Sequence, residues 1–218
     1  MSGAKRSGAK RGIAVALFVL GVGAGFAGCT GSLFQSKAAP PPIYLLSAKL
    51  ATADQAVPAD LAVLRPRVRA GLETDRIAVL YPDRRLDYFA EARWSGPLDE
   101  VLQDLALQAF DTGAHLRNVS ADASAFASAY WLEIEVVDFQ AEYSSGGAAP
   151  SIHVHLLARV GGAGDRRILA TFDASAREIA SDNRLPAIVD AYERAAGAAL
   201  AEIVKGTSRT LFDSLEHR

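Results

Sequence analysis

Tyr130-Trp131-Leu132-Glu133-Ile134-Glu135-Val136-Val137 is the stretch on which the fold turns. Leu132, Ile134 and Val136 alternate with Glu133, Glu135 and Val137, the two-residue period of a strand with one face in a core and one in water. The strand pattern spans residues 130–143. After a loop at 144–150, residues 151–160 alternate again, with Ile152, Val154 and Leu156 set against His153 and His155. Two such runs joined by a short loop make a long hairpin. Gly161-Gly162-Ala163-Gly164-Asp165 then reads as a turn into a third antiparallel strand over 167–176. A sheet of this kind is covered on one side and partly wet on the other.

Helical periodicity flanks the hairpin on both sides. Upstream, Leu98, Val101, Leu102, Leu105, Ala109 and Phe110 recur at three- and four-residue spacing, which predicts a helix over 97–112. Pro97 suits its first position, Asp99 and Glu100 suit the positive end of the dipole, and Gly113 ends it. Downstream, Leu185-Pro186 opens a second helix marked by Ile188, Ala191, Tyr192, Ala195, Ala199 and Ile203, whose alanines allow close approach to a sheet. Before the first helix, short apolar runs at 43–46, 61–64, 76–81 and 86–94 read as strands, stopped by Pro66 and Pro82 or preceded by an Asp83-Arg84-Arg85 turn. Residues 43–206 thus form one α/β domain, and the polar stretch 207–218 reads as a frayed tail.

The N-terminus has a different character. Lys5, Arg6, Lys10 and Arg11 precede 17 uncharged residues from Gly12 to Gly28, the pattern of a secretory signal, and the segment is short and Gly-rich for a spanning helix. It ends at Phe26-Ala27-Gly28-Cys29, which resembles the lipobox of bacterial lipoproteins. The resemblance implies a signal peptide over 1–28, cleavage before Cys29 and acylation of its thiol. Several acyl chains on Cys29 would anchor the protein stably, which one chain does not. Thr30, where an inner-membrane lipoprotein of this type carries Asp, implies the outer membrane. Residues 29–42, with Pro40, Pro41 and Pro42 at the end, read as a tether that holds the domain off the bilayer.

Composition narrows the function classes. Of 218 residues, 50% are hydrophobic and 22% charged, which excludes a disordered chain or a collagen-like rod. A single cysteine excludes an internal disulfide and CxxC zinc sites. The formal charge of −2 becomes −6 once the four basic residues of the leader are gone, so no bulk basic field draws the domain to nucleic acid.

Catalytic patterns are weak. There is no G-x-S-x-G and no H-E-x-x-H, and the glycines at 161–164 join two strands, where a phosphate cradle needs a helix N-terminus. His153 and His155 project from one strand face, as half of a zinc site would, with His115, Glu133 or Glu135 to complete it. The simpler reading is two solvent-facing histidines. Glu133, Glu135, Asp138 and Glu142 likewise read as the wet face of their strand, ahead of paired catalytic carboxylates. Neither a cofactor nor an enzymatic activity is expected. Tyr88 and Trp94, near Arg93, have the aromatic and cationic character of interface anchors. Tyr88 leans to the surface, and Trp94 is as well suited to a core.

Taken in order, several of these segments resemble one family. The Cys29 lipobox and tether lead into Tyr44-Leu45-Leu46. Next come Gly71-Leu72-Glu73-Thr74-Asp75-Arg76-Ile77-Ala78, then Leu86-Asp87-Tyr88-Phe89, then Arg93-Trp94-Ser95-Gly96-Pro97-Leu98 and a helix. The succession is similar to the ABC-type transport auxiliary lipoproteins, the group of paraquat-inducible protein C. The resemblance implies a single α/β domain with a mixed, largely antiparallel sheet flanked by helices. It also implies an accessory subunit of an MCE-type lipid transport system on the periplasmic side of the outer membrane. Its partners would be an MCE-domain protein and its transporter complex, with a homo-oligomer left open. Arg76, Tyr88 and Trp94 match the motif and are its candidate structural or partner-contact positions. Two other classes stand beside this one: an envelope-assembly lipoprotein binding a peptidoglycan synthase or polysaccharide, and a periplasmic metal-dependent enzyme built on His153 and His155.

Overall fold

The computed structural model describes residues 40–48, 50, 56–121, 128–146, 149–164 and 167–217. The leader, Cys29 and most of the tether lie outside the described residues. The rest form β1 (Ile43–Tyr44), β2 (Ala56–Val63), β3 (Arg67–Val68), β4 (Arg76–Leu80), β5 (Leu86–Trp94), α1 (Leu98–Gly113), β6 (His115–Ala121), β7 (Tyr130–Glu142), β8 (Ser151–Gly162), β9 (Ile168–Ile179) and α2 (Leu185–Glu216).

The decisive stretch is the spine of one mixed sheet. Along one edge β7 pairs antiparallel with β8, and β8 pairs antiparallel with β9. Three short strands share its other edge, all parallel to it: β2 at residues 130–132, β3 at 135–136 and β4 at 141–142. β2 carries β6 in parallel, while β4 carries β5 antiparallel and β5 carries β1. The three-stranded antiparallel limb, the α/β class and the mixed sheet all agree with the expectation from sequence.

Register explains how β7 keeps one polar face. Leu132, Ile134 and Val136 are buried, but beyond them the buried residues are Phe139 and Ala141. The pairing with β8 slips between Val136 and Asp138. One extra residue in a strand exchanges its faces. The slip therefore places Asp138, Gln140 and Glu142 on the same side as Glu133 and Glu135.

Both helices cover the opposite side. α1 packs against β6, β2 and β3, whereas α2 packs against β9 and β8 and touches α1. Pro97 stands at the N-cap, one residue before its expected place, and Leu98 N–H donates to the Thr74 carbonyl. The alanine stripe of α2 does what its small size allows: Ala191, Ala195, Ala196 and Ala199 are buried against the sheet.

The structure departs from the sequence pattern in four further places. The tail is not frayed: α2 runs to Glu216 with Thr207 and Leu211 fully buried and Leu215 packed on the core. Its stripe continues at four-residue spacing through a threonine, so polar composition hides it. β2 begins at Ala56, before Pro58, because the pairing with β6 slips between Val57 and Asp60, which gives the proline a place inside a strand. β6, at the sheet margin with mixed polarity, carries no clear alternation that would mark it as a strand. Gly161 and Gly162 belong to β8 and not to the turn. Gly161 lies opposite Trp131, whose ring would come within 2.3 Å of an added Cβ. A strand glycine here makes room for an indole.

Candidate functional site

The motif segment 71–98 is a clip with two sides. Gly71 holds a left-handed turn at φ 91°, where a side chain would be strained. Leu72 is buried, and the carbonyls of Thr74 and Asp75 accept hydrogen bonds from Leu98 N–H and Trp94 N–H at 3.2 and 2.7 Å. Arg93 reaches the Asp75 carboxylate at 3.0 Å. The motif therefore ties the β4–β5 pair to the start of α1. At that start Arg65 binds Asp99 and Glu100 at 2.5 and 2.7 Å. Burial pushes the Asp99 carboxyl up, but the Arg65 hydrogen bond and charge outweigh it, and the net shift is down.

Trp94 faces inward. It is 2% exposed and meets Tyr192 edge-on at 5.2 Å between centroids, with Phe139 at 6.1 Å. Tyr192 is itself fully buried and donates to the Ala78 carbonyl at 2.9 Å. Burial holds its phenol well above the ordinary range. Trp94 is a core residue.

Arg76 and Tyr88 face outward. The Arg76 guanidinium lies 4.2 Å from the centroid of the Tyr88 ring, and Tyr88 Oη donates to the Gly71 carbonyl at 2.7 Å. The pair forms a half-exposed cation–aromatic knob on the surface of the clip. Of the three motif positions, the structure brings these two together and sends the third into the core.

A lattice of paired charges covers the wet face of β7, β8 and β9. Glu133 and Glu135 meet Arg67 and Arg159. Asp138 lies 3.4 Å from Arg69. Glu142 pairs with Arg177 and His153, and Asp173 with His155. Gln140, only 5% exposed, donates to Asp138 and Glu142 and accepts Phe139 N–H. Burial raises the Glu142 carboxyl, yet the Arg177 and Gln140 hydrogen bonds and the nearby positive charges leave it below its ordinary range.

His153 and His155 do share a face, with rings stacked 6.3 Å apart. Their partners are Asp138, Glu142 and Asp173, not the residues proposed to complete a metal site. Glu133 and Glu135 are taken by arginines, and His115 stands exposed on β6, opposite Ala56 on the other arm of the sheet. Among the described residues no group of three or more His, Cys, Asp or Glu is arranged to hold a metal ion. Sequence reasoning missed Arg69, Asp173 and Arg177. For the last two a signal existed, since Asp173, Ser175 and Arg177 alternate along β9 as His153 and His155 do along β8.

This arrangement, a sheet sealed by two helices on one face and cross-linked by charges on the other, defines a two-layer α/β module of about one domain's length. The chain belongs to the ABC-type transport auxiliary lipoprotein component family, whose model matches residues 44–204. It is thus a lipoprotein component auxiliary to an ABC-type transporter, anchored to a membrane of the cell envelope. Among solved structures it resembles protein XCC0632 of Xanthomonas campestris, described as a DUF330 protein. The TM-score is 0.72 at 23% identity, over 80% of this chain and 99% of that one. The hypothetical protein CT253 of Chlamydia trachomatis has a TM-score of 0.50 at 10% identity, over 71% and 98%. Both are likenesses of fold. No curated protein matches the chain. No helix among the described residues is long and apolar enough to cross a membrane.

Proposed function

We propose that this chain is the outer-membrane accessory subunit of an MCE-type lipid transport system and has no catalytic activity of its own. The observation that carries the reading is the family match over residues 44–204. The Cys29 lipobox supports it and supplies the anchor. Thr30 at the sorting position directs the anchor to the outer membrane, and residues 30–42 let the domain reach into the periplasm towards its partners. On this reading the Arg76–Tyr88 knob contacts the MCE-domain protein or its transporter complex. It combines an exposed guanidinium with an aromatic ring already fixed by its hydrogen bond to Gly71, so little side-chain freedom is lost on docking.

Crosslinking in intact envelopes, followed by pull-down and mass spectrometry, tests the proposal. An MCE-domain protein and its permease should be recovered with the wild-type chain. Recovery of wall-synthesis enzymes with no MCE-domain protein would overturn it in favour of an envelope-assembly role. Cys29→Ala should move the protein from the membrane fraction to the soluble one, as read by fractionation.

A further inference from the structure

The edge of β7 that faces β3 and β4 is interrupted. Pairing with β3 ends at Val136, whose carbonyl accepts Arg69 N–H, and pairing with β4 resumes only at Ala141. The break coincides with the register slip after Val136. It leaves Phe139 N–H without a strand partner there, and the side chain of Gln140 turns back to accept it at 2.9 Å. A sheet broken at its spine leaves a hollow, and one of about 280 Å³ opens at this point.

The hollow is built in layers of different chemistry. Its floor is polar and largely buried, made by Asp138 and Gln140. Leu72, Leu80 and Leu86 give it apolar walls, and Leu86 is 38% exposed although it is a large hydrophobic residue. Arg69 and Arg84 stand at its mouth. The floor carboxylate is already served by Arg69, Gln140 and the two nearby histidines. Arg84 has no ion pair among the described residues. It also sits at φ 66°, the only non-glycine residue there with a positive φ. Asn or Gly would serve that turn at lower cost. Strain of this kind, held at a hollow, points to a use for the side chain.

We infer that this hollow binds a phosphate ester with a short aliphatic stem, the oxyanion between Arg84 and Arg69 and the stem against Leu72, Leu80 and Leu86. Guanidinium groups favour phosphate through charge-assisted, paired hydrogen bonds. Leucine walls favour the stem through removal of apolar surface from water. A lipid headgroup with its glycerol stem and a soluble sugar or glycerol phosphate share this chemistry. The inference does not rest on the transport reading, since it concerns the isolated chain.

The test is calorimetric titration of the purified full chain in non-ionic detergent with three probes. These are dihexanoyl phosphatidylglycerol, glycerol 3-phosphate and dihexanoylglycerol, which lacks the phosphate. Saturable binding of at least one phosphate probe is expected, weakened about tenfold or more by Arg84→Asn, which keeps the turn, and by Arg69→Gln. Arg85→Gln should leave it unchanged, because Arg85 pairs with Asp83 and Asp87 outside the hollow. Tighter binding of the phosphatidylglycerol assigns the site to a lipid headgroup, and equal binding of glycerol phosphate assigns it to a soluble ester. Either supports the inference. Dihexanoylglycerol binding as tightly as its phosphate counterpart, Arg85→Gln weakening binding as much as Arg84→Asn, or no saturable binding would overturn it. None of these results bears on which partner is recovered from envelopes.

Discussion

Trp94 and the Arg76–Tyr88 pair belong to one motif and lie within one strand pairing, yet they do opposite things. Trp94 is 2% exposed against Tyr192 and Phe139, while Arg76 lies over Tyr88 at the surface. A motif residue that is buried is accounted for by packing. One held outward by a hydrogen bond to a glycine turn is not, and the proposed partner contact falls there. The difference teaches that motif membership alone does not separate structure from contact, and that the direction of the side chain does.

The largest effect is expected at Trp94. Trp94→Ala removes a buried aromatic from a three-ring cluster and should cost about 3–5 kcal/mol, read as a fall in the denaturant midpoint or the Tm. A small loss would mean that the clip, not the core, holds this region. Next in size, Gly161→Ala should cost about 1–3 kcal/mol, because the new methyl meets the Trp131 ring and the Arg167 carbonyl. Replacing Trp131 by Leu in the same chain should return part of that loss.

Acid should act through the polar face. The Glu142 carboxyl is depressed in the folded state. Its stabilising contribution is therefore present above the ordinary carboxylate range and is lost as pH falls through its lower, folded value. The group is only partly covered and its partner Arg177 is half-exposed, so the contribution is below about 1 kcal/mol. Glu142→Gln should lower stability slightly at neutral pH and flatten the acid limb of a stability–pH curve. The smallest effect is expected at Thr207, whose hydroxyl is buried without a hydrogen-bond partner. Thr207→Val should be neutral or stabilising by less than about 1 kcal/mol.

What could be read from the sequence follows the same division. The strands and helices whose apolar residues are spaced regularly, β7, β8, α1 and the first half of α2, could be located because burial itself imposes that spacing. The long α2 beyond residue 206 could not, since Thr207 takes a core position without looking apolar. On the wet face the acids and histidines could be placed, but not their partners. Which arginine meets Glu133 or Glu142 depends on register between strands far apart in sequence, and on a one-residue slip that no local pattern announces. The hollow beside Gln140 was hidden for the same reason, because it exists only where two short strands fail to meet along β7.

On the proposed reading the outward half of the motif is the part that meets a partner, and Arg76→Ala tests it most directly. The Tm of the variant and its recovery of the proposed MCE-domain partner from crosslinked envelopes should be measured together. An exposed cation–aromatic contact is worth about 0.5–1 kcal/mol, so the Tm should fall by no more than about 4 °C while partner recovery drops several-fold. A chain that loses stability heavily, or keeps its partner in full, would contradict the account and return Arg76 and Tyr88 to the structural side of the clip.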